Sequence, residues 1–303
     1  MAPLPGLQSL RRMILQTEQS ATQYYEGKRE SIMTEEVKAY QIDLISDNRM
    51  QIAQGVTYVQ REYRLNETEP LKAFFVIVSP DSPAKLSVAA APQGKTKTVP
   101  EHFRDSLCAG KQVIAAINSG YFHLAAGTLT SYGMQIIDGQ VIKEPNGGAE
   151  RYGDNWIGRT YDGQYVIGST DDYVREYRGK LVYGCGGGDI LLLDGENRII
   201  DVTSVHPRSG IAITKEGGLV FGCIDGRSEE SVGVSLPDHL RIYSELGFEI
   251  TDMLNLDGGG SSQLVVKCGD KEPLIMNKPA LDPEGLRPVA DVLLLVLPSE
   301  QSE

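Results

Sequence analysis

The chain predicts an α+β fold built on a largely antiparallel or mixed β-sheet with a few packed helices. Three observations carry that expectation. Strand-sized apolar runs recur along most of its length and are joined by two-residue turn signals, Asp138-Gly139, Asp162-Gly163 and Asp194-Gly195 among them. Only two stretches beyond residue 52 show helix-start chemistry. Pro80, Pro83 and Pro92 then bound the early apolar runs, as they do where strands end.

Residues 7–26 have Leu7, Leu10 and Ile14 at helical spacing, with Gly27 as a stop, and read as a helix. Residues 1–50 are therefore expected to form a helical extension, and residues 51–303 a single larger domain. Residues 73–78 and 86–90 read as strands. Thr98-Val99-Pro100-Glu101 is a capping box with proline in the first turn, opening a helix that ends by Gly110. Residues 113–117 form a buried strand, and the hairpin pair 134–137 and 141–142 follows. Lys215-Glu216-Gly217-Gly218 joins two further apolar runs. The second helix opens at Ser235 and Asp238, aligns Leu236, Leu240 and Tyr243 on one face, and stops at Gly247.

With 303 residues, 41% apolar and 23% charged, the chain has the composition of an ordinary globular protein. A net charge of -12 argues against nucleic acid or an anionic membrane as a general partner, although a few arginines can still reverse the field in a cleft. No apolar run approaches the ~20 residues that span a bilayer. Cys108, Cys185, Cys223 and Cys268 match no zinc or redox spacing and read as reduced thiols. Arg11 and Arg12 interrupt the only apolar stretch near the start, so no secretory signal is read and a cytoplasmic setting is expected.

The most informative segment is Asn255-Leu256-Asp257-Gly258-Gly259-Gly260-Ser261-Ser262. Three successive glycines lose much backbone freedom on folding and belong where a chain turns tightly or something must approach it closely. Here they set a carboxylate, two hydroxyls and open amides within one turn. A phosphate loop of the nucleotide kind needs a Lys-Ser/Thr pair and a following helix, but residues 263–266 are strand-like and no lysine precedes Lys267. The competing reading is a hairpin turn in which Asp257 only caps.

Other polar residues share the strand ends. Asn118 follows residues 113–117, Asp225 follows 219–224 and precedes Arg227, Arg208 precedes 211–214, and Arg287 precedes a strand that contains Asp291. Polar groups at strand ends beside glycines are how a sheet presents a site.

The segments AAINSGYF, HPRSGIAIT, IDGRSEESVGVSLPDHL, LNLDGGGSSQLVV and LRPVADVLLLV, in this order, resemble the phosphodiester glycosidase family over about residues 52–298. The pattern departs at Ser119, where the family has glycine, at Ser209-Gly210 within its RTAIG segment, and at Asp291, where it has asparagine. Relatives are commonly secreted or lumenal, which sets them against the cytoplasmic expectation.

The resemblance implies hydrolysis of a sugar-1-phosphodiester, N-acetylglucosamine-1-phosphodiester-like, at the anomeric C–O bond, with no metal or other cofactor. The leaving phosphomonoester has a second pKa of about 6 and departs with little protonation, so a strong general acid matters less than in other glycosidases. Asp257 is then the first choice for base or nucleophile and Asp225 the second. Arg208 and Arg287, with Arg227 as a third, would bind phosphate or orient carboxylates. Gly258, Gly259, Gly260, Ser261 and Ser262 would meet sugar or phosphate oxygens, and Asn118 and Asp291 complete the substrate-binding set. His206 is left outside the catalytic set. Two other classes stand beside this one: a metal-dependent phosphodiesterase with Asp225, Asp257 and Asp291 as oxygen ligands, and a sugar-phosphate binding module without turnover.

Overall fold

The computed structural model describes residues 41–298, apart from 126–127, 148–151 and 202. The helix expected over residues 7–26 lies outside the described residues. Strands β1 (Ile42–Ala53), β2 (Val56–Leu65), β3 (Glu69–Val78) and β4 (Lys85–Ala90) come first. Helix α1 (Val99–Cys108) leads into β5 (Gln112–Asn118), and then β6 (Phe122–Ala125), β7 (Thr128–Ser131), β8 (Gln135–Ile137), β9 (Gln140–Lys143), β10 (Trp156–Thr160) and β11 (Tyr165–Gly168). A π-helical turn, Tyr173–Tyr177, precedes β12 (Leu181–Gly186), β13 (Ile190–Leu193) and β14 (Glu196–Asn197). The rest is β15 (Arg208–Thr214), β16 (Leu219–Ile224), α2 (Leu236–Ser244), β17 (Ile250–Asn255), β18 (Leu264–Val266), β19 (Leu274–Ile275) and β20 (Asp291–Leu297).

An eight-stranded sheet runs β1-β2-β3-β16-β15-β17-β13-β14, a five-stranded sheet runs β19-β18-β5-β20-β4, and a second five-stranded sheet runs β11-β10-β12-β8-β9. The pairings within them are antiparallel, as the recurrent hairpin signals predict. Asp138-Gly139 and Asp194-Gly195 have positive φ at both residues, the conformation that makes this dipeptide a hairpin turn.

The large sheet and the β4–β5–β20 sheet pack face to face through Phe74, Val76, Phe221, Leu86, Ile117 and Leu293. Helix α2 covers the outer face of the large sheet through Leu236, Ile242 and Tyr243, and α1 covers its partner through Val99 and Phe103. The order is therefore helix, sheet, sheet, helix. Both helices start as expected: the Thr98 and Glu101 capping box is formed, and Ser235 accepts from the Asp238 amide. Each such cap contributes about 1 kcal/mol.

Tyr243 shows how α2 is fixed on the strands that carry the site. Its ring meets Phe75 edge-on at 5.2 Å, and its hydroxyl donates to the Gly210 carbonyl at 2.8 Å. A Cβ on Gly222 would sit 2.2 Å from that hydroxyl, so the glycine leaves room for the ring. Burying such a ring is worth about 2–3 kcal/mol.

One boundary differs from expectation. The sheet starts at Ile42, ahead of residue 51, because β1 pairs with β2 from Ile42–Leu65 through Ala53–Val56. The strand escapes pattern reading because most of it is exposed and polar. It is held partly by the Asp47 carboxylate, which accepts from buried Arg61 at 2.9 and 2.7 Å.

Candidate functional site

Strand order brings the site together. Antiparallel neighbours β15 and β17 set Arg208, the first residue of β15, beside the chain leaving β17. Three backbone or side-chain bonds then hold the turn: Leu256 N–H to the Ser209 carbonyl at 2.8 Å, Asp257 N–H to the Ser119 carbonyl at 2.9 Å, and Asn118 Nδ2 to the Asp257 carbonyl at 2.6 Å. Residues Gly259–Ser261 close it as one turn of 3-10 helix.

The three glycines have separate reasons. A Cβ on Gly258 would lie 2.6 Å from the Pro207 carbonyl oxygen; on Gly259, 3.0 Å from Arg227 Nη1; on Gly260, 2.9 Å from Arg287 Cζ. Gly259 also has φ +63, which disfavours side chains. The glycine run lets two guanidiniums lie against the backbone of the turn that carries Asp257.

A cavity of about 370 Å³ opens over this turn. Of the residues expected from the sequence, Asp257, Gly258, Gly259, Arg208, Arg227 and Arg287 line it. It is also lined by Tyr121, Tyr152, Asp189, Asp201 and Ser204, which the sequence reading passed over, and by His206, which it left outside the catalytic set. Tyr121 and Tyr152 stack at 4.1 Å with 18° between planes and form an aromatic wall. His206 Nδ1 accepts from Arg227 Nη2 at 3.1 Å. Both Tyr121 and His206 belong to segments already singled out, GYF and HPR, so position beside Asn118 and Arg208 was the available signal.

Burial raises the Asp257 pKa to about 6, against the Ser261 hydroxyl, the Arg287 charge and the Gly258 amide, which favour its carboxylate form. Ser261 does this without a well-aligned hydrogen bond. Arg208 is buried, donates to the Val234 carbonyl at 3.3 Å and to the Ser204 carbonyl, and has its pKa lowered by burial. Arg287 is gripped by the Asp282 carboxylate through two bonds of 2.8 Å. Burial and the charges of Arg208 and Arg227 hold the His206 pKa below its ordinary value, so the ring is neutral near pH 7.

The remaining expected residues lie outside the cavity lining. Asn118 is fully buried; besides holding the Asp257 carbonyl, its Oδ1 accepts from Ser209 Oγ at 2.8 Å and from the Gln263 amide at 3.2 Å. It pins the turn from beneath and has no group left to offer a substrate. Gly260, Ser261 and Ser262 are buried in the turn. Asp225 accepts from Asn277 Nδ2 and the Lys278 amide, both at 2.8 Å, and burial raises its pKa to about 6. It ties down the segment that precedes Arg287. Asp291 is buried between Ser119 Oγ and Gln135 Nε2, so the two sequence departures Ser119 and Asp291 meet in one hydrogen bond. The trio Asp225, Asp257 and Asp291 does not converge, and among the described residues no cluster of three or more His, Cys, Asp or Glu has metal-holding geometry.

Replacing Asn118 by alanine strands the Asp257 carbonyl and the buried Gln263 amide and leaves the Ser209 hydroxyl only a weak contact to Cys223 Sγ at 3.9 Å. At about 1–3 kcal/mol per unsatisfied group, Asn118→Ala is expected to lose about 3 kcal/mol or more of stability in urea unfolding. A loss under about 1 kcal/mol would mean that the turn has other anchors.

Three guanidiniums, the carboxylates Asp189, Asp201 and Asp257 and an aromatic wall around one cavity make a site for a small polar molecule with one non-polar face. The chain belongs to the phosphodiester glycosidase family, whose model matches residues 111–296. Among solved structures, it is similar to the zebrafish N-acetylglucosamine-1-phosphodiester alpha-N-acetylglucosaminidase catalytic domain auto-inhibited by its pro-peptide. That likeness has a TM-score of 0.61 and 20% identity over 86% of this chain and 84% of that one. A hypothetical protein from Synechocystis aligns with a TM-score of 0.58 and 14% identity over 86% and 68% of the two chains. A putative exported protein from Burkholderia pseudomallei aligns with a TM-score of 0.58 and 13% identity over 86% and 97%. No curated protein matches the chain.

Proposed function

We propose that the chain hydrolyses a sugar-1-phosphodiester at the anomeric C–O bond, releasing free sugar and a phosphomonoester. The observation that carries this reading is one cavity lined by Asp257, partly buried there under the charge of Arg287, together with Arg208 and Arg227. Positive charge on the phosphate side stabilises the departing phosphomonoester, and a carboxylate on the other side supports the oxocarbenium-like carbon. Asp257 is the base or nucleophile. Asp189, which lines the same cavity, replaces Asp225 as its second carboxylate. The Tyr121 and Tyr152 stack presents a ring face to the sugar, and Tyr121 keeps its proton because burial and the Asp257 charge oppose its loss. The sugar is N-acetylglucosamine-like, the class named for the zebrafish relative.

The test is a panel of sugar-1-phosphodiesters incubated in isotopically labelled water, with products weighed by mass spectrometry. Label is expected in the anomeric hydroxyl of the sugar. Label in phosphate would instead support cleavage at phosphorus, and saturable binding without product would support a binding module.

A further inference from the structure

A second and larger cleft, about 710 Å³ against about 370 Å³ for the cavity over Asp257, lies at the β4 edge of its five-stranded sheet. Its walls come from the end of β4 and the loop that follows, from α1, from the turn between α1 and β5 and from the β8–β9 hairpin. None of the residues that line one cavity lines the other.

Its charge is opposite to that of the molecule. Lys95, Lys97, Lys111 and Lys143 line it, against the single carboxylate Asp105, in a chain whose net charge is -12. His102 adds no charge, because burial lowers its pKa and Nε2 is engaged with the Val289 carbonyl at 3.2 Å. The lysines come from three separate parts of the chain, so the fold collects them. Lys97 is held by Asp105, Lys143 by the Ser131 carbonyl, and Lys111 by Ser87 Oγ at 3.4 Å with its ammonium 5.6 Å from the Tyr183 ring. Each ammonium has three donors, so such anchoring orients it and leaves N–H groups for a ligand.

The cleft is not only cationic. Ala90, Ile137 and Ile142 give it apolar surface, and Ile142 is 58% exposed although it belongs to a strand. An inorganic anion alone would leave that surface wet, and a neutral apolar molecule would leave the ammoniums unused. We propose that this cleft binds an anionic amphiphile, a molecule with an apolar body and a phosphate or carboxylate head. Its volume falls within the range of about 300–1,000 Å³ of small-molecule sites, so it takes the amphiphile as a free monomer. The proposal does not depend on the hydrolytic reading of the Asp257 site.

Titration calorimetry with dodecyl phosphate, held below its micelle concentration, tests it. Dodecyl phosphate is expected to bind one to one, and inorganic phosphate and dodecyltrimethylammonium each at least about tenfold more weakly, since each satisfies only one half of the cleft. Lys111→Glu with Lys143→Glu is expected to weaken binding by about tenfold or more. Exposed Ile142→Glu, which leaves the lysines in place, should weaken it as well, while Lys215→Glu, at a remote surface ion pair, should leave it unchanged. The proposal is overturned if dodecyl phosphate fails to bind, if phosphate alone binds as tightly, or if the double variant and Ile142→Glu both bind like wild type. Binding confined to vesicles of anionic lipid, with none to the monomer, would also overturn it and assign the lysines to a membrane surface.

Discussion

Asp257→Asn is expected to lower turnover of a sugar-1-phosphodiester by about three orders of magnitude while leaving the fold intact, a loss typical of removing a group that acts on the transition state. The bonds that hold this residue are made by its backbone, to the Ser119 carbonyl and from Asn118 Nδ2, and an isosteric amide keeps them. If Asp257 were only a turn cap, asparagine would replace it well. Turnover within a few-fold of wild type would therefore remove Asp257 from the chemistry and shift attention to Asp189.

The same substitution has a stability consequence of definite sign. The folded pKa of Asp257 is raised from 3.8 to about 6, so the folded state binds the proton more tightly than the unfolded chain. Its contribution is fully present below about pH 4 and is lost as pH rises through about 6. An amide carries no such penalty. Asp257→Asn should thus be more stable than wild type above pH 6, by about 2–3 kcal/mol, and show little difference near pH 4. If the ionised carboxylate is the working form, kcat/KM should rise with pH through about 6. Melting curves at pH 4 and 8 and a pH–rate profile check both, and a melting difference of the opposite sign would mean that Asp257 is stabilised as a charge.

Local chemistry is what made the fold legible. Thr98-Glu101 and Ser235-Asp238 start helices, and Asp-Gly pairs turn hairpins, because each satisfies its own backbone within four residues. β1 was missed because its exposed face and its Asp47–Arg61 bond erase the apolar alternation. The candidate site was legible where a residue sits on a strand end beside glycines, as Asp257 and Arg208 do. It was not legible which strand-end residues face the cavity. Asn118 and Asp225 have the same local setting as Asp257, yet their side chains turn to Ser209 and Asn277, partners 91 and 52 residues away. Only the tertiary pairing decides that, and it also brings Asp189 into the cavity from a loop without a distinctive pattern.

The three arginines should separate by substrate charge. If they neutralise phosphate, Arg287→Ala and Arg208→Ala are each expected to lower kcat/KM on a phosphodiester by about two to four orders of magnitude, but to lower that on a neutral aryl glycoside of the same sugar by about tenfold or less. The two will differ in stability. Arg208 is buried and its guanidinium holds the Ser204 and Val234 carbonyls, so its loss unpins that loop and lowers the melting temperature. Arg287 is about one-third exposed and paired with Asp282, so its removal frees only a partly solvated carboxylate. Lysine keeps the charge but cannot keep two parallel bonds to Asp282, and Arg287→Lys should recover only part of the phosphodiester rate. Asp282→Asn supplies the complementary case, because it leaves the arginine charge in place and loosens its aim. A loss on phosphodiesters smaller than that of Arg287→Ala, again with the neutral glycoside little affected, is the expected pattern. Equal losses on charged and neutral substrates throughout would make these arginines part of the scaffold and leave the departing phosphate without its counter-charge.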